Sequence, residues 1–215
     1  AGSGNDMIYG GDGADTIMGG DGNDLITAGN GDDNVMGGKG DDTFVAGVAD
    51  GMDRYSDDLG NDTLDMSAIS ANIEANLGTG LSGYAQILNG PRDTLYGIEN
   101  IVTGSGNDTV TASGARNVID TGAGQDTVVF RSASDADGDT LYNFEAGDRI
   151  DVSAFMGGTV SLINGNAAEF GEIAIHFENI GNENFTVLDG LTQDGEHFKI
   201  DIKGHHNLTG TDFAA

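Results

Sequence analysis

The sequence predicts an all-β fold, a parallel β-solenoid laid down in two repeat blocks and closed by a C-terminal β cap. Three observations predict it. Five copies of a nine-residue unit run without a gap from Ala1 to Val45, reading AGSGNDMIY, GGDGADTIM, GGDGNDLIT, AGNGDDNVM and GGKGDDTFV. Three further units return at residues 103–129, reading TGSGNDTVT, ASGARNVID and TGAGQDTVV. The last part of the chain holds short alternating runs, TVSLI, EIAIHF, NFTVL and HFKIDIK, separated by NG, GN and DG turns.

In the first block, position 2 is always Gly (Gly2, Gly11, Gly20, Gly29, Gly38), and so is position 4 (Gly4, Gly13, Gly22, Gly31, Gly40). Position 6 is always Asp (Asp6, Asp15, Asp24, Asp33, Asp42), and position 8 is large and apolar (Ile8, Ile17, Ile26, Val35, Phe44). A nine-residue period has no helical spacing, which rules out stacked helices. An apolar residue at every ninth place separates the block from a flexible acidic linker. Alternate glycines let the chain take strained turns at low steric cost, and such turns point several carbonyls at one centre. The Asp adds a hard anionic oxygen. Calcium takes about six to eight such oxygens, whereas magnesium demands a tighter octahedral shell with more water. Positions 7–9 then form a short strand whose position 8 enters the core. Two units complete one turn of coil, so loops on the same side lie eighteen residues apart.

The unit resembles the RTX (repeats-in-toxin, hemolysin-type) repeat, whose domains are calcium-binding parallel β-rolls. The resemblance implies that each calcium sits between one loop and the loop eighteen residues later. The earlier loop would give carbonyls from positions 1 and 3 plus its Asp, and the later loop carbonyls from positions 2 and 4 plus its Asp. One site would then use Ala1, Ser3, Asp6, Gly20, Gly22 and Asp24. A second would use Gly10, Asp12, Asp15, Gly29, Gly31 and Asp33, and a third Gly19, Asp21, Asp24, Gly38, Gly40 and Asp42. Asp24 would bridge two ions.

Residues 46–102 are expected to connect the blocks. The nine-residue frame breaks at Ala46, and LGND around Asp62 reads as half of another unit, which would cap the last calcium of the first block. Residues 65–102 read as metal-free turns of coil or a small β segment joining two rolls. In the second block, Asp108 and Asp126 should share a calcium with carbonyls from Thr103, Ser105, Gly122 and Gly124, for four ions or more in all. The middle unit carries Ser113, Ala115 and Asn117 at positions 2, 4 and 6, so that side should bind weakly or not at all. The stretch Asp62–Phe130 resembles the repeat region of serralysin-type secreted proteases, and DTLYNFEAGDRIDVSAFM (residues 139–156) resembles the segment closing the roll there. Alternation places Ile150, Val152 and Phe155 toward a core. Residues 157–215 are expected to form an antiparallel or mixed β cap, because a solenoid needs its last apolar layer covered. The end, LTGTDFAA, resembles an uncleaved type I secretion signal, with Asp212 before Phe213, Ala214 and Ala215.

Composition bounds the partners. With 36 acidic against 8 basic residues the net charge is −28, and there are 37 Gly, one Pro and no Cys. No basic patch exists to replace counter-ions on nucleic acid or to favour an anionic membrane. No apolar run approaches the ~20 residues that cross a bilayer. The chain begins with Ala and shows no signal peptide, so it reads as a piece from the C-terminal end of a longer secreted bacterial protein. Absence of Cys fits an extracellular protein held by metal rather than disulfides.

Catalytic motifs are missing. His176, His197, His205 and His206 form no H-E-x-x-H, and no Ser sits in G-x-S-x-G. His176 and His197 read as half-buried strand residues, and the His205–His206 pair as exposed turn. Asp135, Asp137 and Asp139 open like an EF-hand, but Thr140 and Ala146 break that pattern, which favours a solvated loop over a loose surface calcium. The leading reading is therefore a non-enzymatic calcium-binding module that folds on extracellular calcium and supports export by type I machinery. One alternative is the tail of a serralysin-like protease or a polysaccharide epimerase, since FKIDIKGHHNLTGTDFAA is also similar to the end of a mannuronan epimerase repeat module. The other is an adhesin, surface-layer or polysaccharide-binding module using Arg116, Arg131, Arg149, Lys199 and Lys203, which requires those cations to share one face.

Overall fold

The structure is a computed structural model that describes residues 1–48, 50–78, 82–157, 160–165 and 169–214. Two sheets of eleven strands each face one another along a coil. The first runs Gly2–Ser3, Thr16–Asp21, Asn34–Lys39, Arg54–Ser56, Arg92–Tyr96, Gly83–Ile87, Ile73–Asn76, Thr109–Thr111, Thr127–Val129, Arg149–Asp151 and Phe213–Ala214. The second begins Met7–Asp12, Leu25–Asn30, Thr43–Val45, Thr63–Asp65, Asn100–Val102, Val118–Asp120 and Asp139–Tyr142. It ends in the cap strands His197–Lys203, Glu183–Leu191, Glu172–Ile180 and Ser161–Asn164.

In the tandem block the register is parallel and steps by eighteen, pairing Ile8 with Ile26, Ile17 with Val35 and Ile26 with Phe44. Successive turns therefore superimpose like residues, and position 8 becomes a continuous apolar stack. Ile17, Ile26, Val35, Phe44, Tyr55, Leu64, Leu95, Ile101, Val110, Ile119, Val128, Leu141 and Ile150 are all buried, and Ile8 at the edge is half-buried. Each such side chain contributes about 1.5–3 kcal/mol on burial.

Residues 46–102 continue both sheets. Arg54–Ser56 pairs parallel with Asn34–Met36, and Thr63–Asp65 with Thr43–Val45. The departure from the coil is one antiparallel excursion in the first sheet, where Gly83–Ile87 lies between Ile73–Asn76 and Arg92–Tyr96. Cations over aromatic faces fasten it from outside: Arg92 stands 3.5 Å from the Tyr84 ring centre and Arg54 4.5 Å from that of Tyr96.

The cap is mixed, as expected. His197–Lys203 is parallel to Asp139–Leu141 and antiparallel to Glu183–Leu191, so it passes the coil's edge to a meander. Val152 is buried, and the half-buried Phe155 packs edge-on against Phe198 at 5.2 Å. Residues 209–214 dock onto the coil: Phe213 is buried opposite Ile150, after a capping box between Thr209 and Asp212. Thr159 of the TVSLI run and Ala215 lie outside the described residues. His176 is half-buried, but His197 is exposed, because it begins its strand beside a turn. His205 is exposed, whereas His206 is half-buried against the carbonyl of Lys203.

Candidate metal centre

Tight loops precede the strands, and glycine makes the tightness feasible. A Cβ on Gly22, at φ +127°, would lie 2.5 Å from the carbonyl oxygen of Gly4 in the turn before. Gly20 meets the carbonyl of Gly2 in the same way. Loops thus stack backbone on backbone, which draws in the groups proposed as ligands. Ser3 aligns with Asp21 and Asp12 with Asn30, while Gly13 donates its N–H to the Asn30 carbonyl and Gly22 to that of Lys39. Gly29 stacks on Gly11, Gly31 on Gly13, Gly38 on Gly20 and Gly40 on Gly22.

The position-6 aspartates use their two oxygens differently. In the three that follow another turn, Oδ1 accepts the backbone N–H of the Asp one turn earlier: Asp24 from Asp6 at 2.8 Å, Asp33 from Asp15 at 2.7 Å and Asp42 from Asp24 at 2.6 Å. The other oxygen turns inward. Among the described residues, Oδ2 of Asp15, Asp24, Asp33, Asp42, Asp108, Asp126 and Asp139 is buried with no hydrogen-bond partner. A buried carboxylate oxygen without a donor is costly unless a cation meets it. Its neighbours are acceptors too: a Cβ at Gly19 would collide with both Asp24 Oδ2 and the Gly37 carbonyl, and one at Gly10 with the Ala28 carbonyl and Asp15 Oδ2. A hollow walled by carboxylates and carbonyls suits a hard divalent cation and fits calcium.

Electrostatics agree. Burial pushes the Asp42 carboxyl up to about 6, reinforced by Asp57 and Asp24. Burial likewise raises Asp126 to about 6, where Asp148 and Asp108 add repulsion. Asp108 is raised chiefly by burial.

In the second block Asp108 donates its N–H to Asp126 Oδ1 at 2.8 Å, while Gly122 stacks on Gly104 and Gly124 on Gly106, aligning Thr103 and Ser105 with the later loop. Asn117 behaves differently from the aspartates. Its Oδ1 accepts from Ser113 N at 2.7 Å and its Nδ2 donates to the Glu99 carbonyl at 2.7 Å, so its amide closes the loop internally.

Several members of this ladder lie outside the perfect repeats. Asp53 takes the N–H of Asp33, Asp62 that of Asp42, Asp93 that of Asp53 and Asp148 that of Asp126. Asp139, read from sequence as part of a solvated loop, is fully buried; Oδ1 accepts from Asn117 N, and burial followed by repulsion from Asp135 and Asp137 raises its carboxyl to about 8. A shorter signal identifies them all: an acid followed two places on by a buried apolar residue, as in Asp53–Tyr55, Asp62–Leu64, Asp93–Leu95, Asp139–Leu141 and Asp148–Ile150. The five cations considered for polysaccharide do not share one strand or sheet: Arg116 and Arg131 lie in loops outside the strands, and the other three are divided between the sheets. Arg149 lies on a first-sheet strand and Lys199 and Lys203 on a second-sheet strand, with Lys199 3.1 Å from Asp201 and Lys203 2.8 Å from Glu183. Among the described residues no helix is long and apolar enough to cross a membrane.

Comparison with known proteins matches these features. Residues 1–26 and 9–44 match the RTX calcium-binding nonapeptide repeat (4 copies), and residues 55–215 match the family Peptidase M10 serralysin C terminal. Both are typical of secreted bacterial proteins. No curated protein matches the chain. Among solved structures, the AlgE6R2 subunit of the Azotobacter vinelandii mannuronan C5-epimerase is 20% identical with a TM-score of 0.42, covering 83% of this chain and 89% of that one. The AlgE6R3 subunit of the same enzyme is also 20% identical, with a TM-score of 0.35, covering 99% of this chain and 78% of that one. The chain is a calcium-binding β-roll module and belongs to the Peptidase M10 serralysin C-terminal family, with RTX nonapeptide repeats over its first 44 residues.

Proposed function

We propose that this module stays unfolded inside the cell, supports export of a larger bacterial protein by a type I secretion system, and folds on calcium outside. The observation that carries the reading is the stack of buried, unpartnered Asp Oδ2 atoms along the coil. Without cations these carboxylates repel through a chain of net charge −28, which favours an open, threadable state. Outside, calcium fills the loops with the ~10⁻⁴–10⁻³ M affinity of extracellular modules. An ion at about 100 times its dissociation constant adds about 2.7 kcal/mol per site, so four sites rival the stability of an ordinary domain. Because each turn contacts only its neighbours, folding proceeds turn by turn and opposes backsliding into the channel.

In this reading the catalytic residues of the parent protein lie elsewhere, and the family match favours a secreted peptidase as passenger. The buried Phe213 adds a constraint: the C-terminal signal is exposed only before the roll forms. The test is export of a reporter fused ahead of Ala1. Deleting residues 208–215 is expected to abolish export, and replacing Asp6, Asp24 and Asp42 with Ala to abolish calcium-dependent folding. If neither variant changes export or folding, the reading fails.

A further inference from the structure

Acidic residues outnumber basic ones 36 to 8, yet among the described residues no arginine joins an ion pair; the pairs are made by Lys39, His176, Lys199 and Lys203. In so acidic a chain an unpaired guanidinium is available to an anion from outside. Two of these arginines, Arg92 and Arg131, flank the antiparallel excursion on the outer face of the first sheet. Leu95, Ala85, Ala75 and Val110 point into the core there, so the residues alternating with them face outward. Pairing sets Arg92, Gln86, Glu74 and Thr109 in one cross-strand row, and Tyr84, Asn76 and Thr111 in the next. Arg131 follows the strand Thr127–Val129, which pairs with Thr109–Thr111.

A depression of about 280 Å³ lies on this face, lined by Asn72, Glu74, Tyr84, Leu88, Asn107 and Arg131 among others. That is close to the lower bound of about 300 Å³ for small-ligand clefts, so it suits a single ring. Its polar groups are held in place by the protein. Tyr84 donates its hydroxyl to Glu74 Oε1 at 2.5 Å, Gln86 Nε2 donates to Glu74 Oε2 at 3.2 Å, and the Arg92 guanidinium covers the Tyr84 ring. Asn72 Oδ1 accepts the N–H of Asn107 at 3.0 Å, and Asn107 Oδ1 accepts that of Gln125 at 3.0 Å. These bonds fix the orientation of both amides, and among the described residues their Nδ2 donors take no partner. Leu88, 57% exposed, adds an apolar wall.

An occupant has to satisfy groups of both signs. Arg131 calls for a carboxylate, which its planar fork can take through two oxygens. Glu74 repels a ligand that is anionic throughout and calls for hydrogen-bond donors. An acidic sugar carries both: a carboxylate, hydroxyls that donate to Glu74 and accept from the Asn72 and Asn107 amides, and a C–H ring face for Leu88. We propose that this depression binds a hexuronate residue, with its carboxylate on Arg131 and its hydroxyls on Glu74, Asn72 and Asn107. The site is built by the antiparallel excursion and the turns beside it, not by the tandem block, and it goes beyond the export reading. Of the cations that the sequence suggests for a polysaccharide, Arg131 alone takes part.

Calorimetric titration of the full chain, in a fixed excess of calcium, tests this with trimers of galacturonate and of glucuronate. Two further probes separate the chemistry: the methyl ester of the galacturonate trimer, which keeps rings and hydroxyls without charge, and tetraglutamate, which keeps carboxylates without rings. At least one uronate trimer is expected to bind. Esterification and Arg131→Gln should each weaken it by at least about tenfold, whereas Arg116→Gln, in a loop outside the strands, should leave it unchanged. Tetraglutamate should bind at least about tenfold more weakly than the uronate. The proposal is overturned if neither uronate binds, if the ester binds equally well, if Arg131→Gln changes nothing, or if tetraglutamate binds as tightly, which would make the face a site for acidic peptides. Circular dichroism on the same samples reads calcium-dependent folding. A chain that folds on calcium and binds no uronate loses this site and keeps the export reading.

Discussion

A position-6 aspartate is asked for two things by the coil, and its two oxygens divide them. Oδ1 clips the previous turn through a backbone N–H, while Oδ2 faces the hollow between loops. Asp24 does this in the middle of a column: it takes the N–H of Asp6 and gives its own to Asp42. Asp6 gives its N–H to Asp24, and among the described residues no N–H reaches its carboxylate. The two residues should therefore differ in consequence. Asp24→Ala is expected to remove two calcium ions and Asp6→Ala one, a difference of about 2.7 kcal/mol in stability when calcium stands at about 100 times its dissociation constant. Calorimetric stoichiometry and melting at fixed calcium check this. Equal ion losses in the two variants would show that Asp24 bridges nothing.

At the scale of strand and loop, the repeat tolerates insertion in one place only. The strand triplet, acid then any residue then apolar, recurs from Asp6–Ile8 to Asp148–Ile150, with Ile73 and Asn117 replacing the acid in two turns, because the acid clips the neighbouring turn and the apolar residue joins the core stack. Loop length is freer: the clip spans eighteen residues in the tandem block, twenty at Asp33–Asp53, forty at Asp53–Asp93 and twenty-two at Asn117–Asp139. That is why the tandem aspartates of the ladder were legible from a fixed nine-residue frame, whereas Asp53, Asp93 and Asp139 were not. The frame was lost by two inserted residues at 46–56, although the triplet Asp53–Arg54–Tyr55 survived them. The antiparallel excursion had no repeat signature at all; its place is set by long-range pairing of Gly83–Ile87, which local pattern does not encode. Asn117 was legible for a simple reason: an amide carries no charge. The structure adds that its Nδ2 takes over the task of an ion by donating to the Glu99 carbonyl. Asn117→Asp removes that donor and places a carboxylate beside the unpartnered Oδ2 of Asp139. The variant is expected to bind one further calcium and to be less stable than wild type in chelator, by about 1–3 kcal/mol for the acceptor left unpaired. Melting with and without calcium reads both effects; an unchanged stoichiometry would mean the loop cannot open around an ion.

For the whole molecule, the acid columns make protons and calcium rivals for the same oxygens. Burial raises Asp42, Asp53 and Asp126 to about 6, Asp62 and Asp93 to about 7 and Asp139 to about 8 in the metal-free fold. In the unfolded chain an Asp titrates near about 3.9. Between those values the folded chain holds more protons than the unfolded one, so the metal-free roll loses stability as pH rises. The loss begins above about pH 4 and runs to about pH 8, as each carboxylate in turn must be charged without a counter-ion. Calcium supplies the counter-ion and must displace those protons, so its affinity grows over the same range. In chelator, the melting temperature is therefore expected to be higher at pH 5 than at pH 8, and the rise on adding calcium to be larger at pH 8. A metal-free chain that grows more stable toward pH 8 would mean the columns relax apart when charged. The competition would then lie between folded and open chains rather than between protons and calcium in one fold. The expected order instead makes the charge that holds the chain open without calcium the same charge that binds the ion and closes the roll.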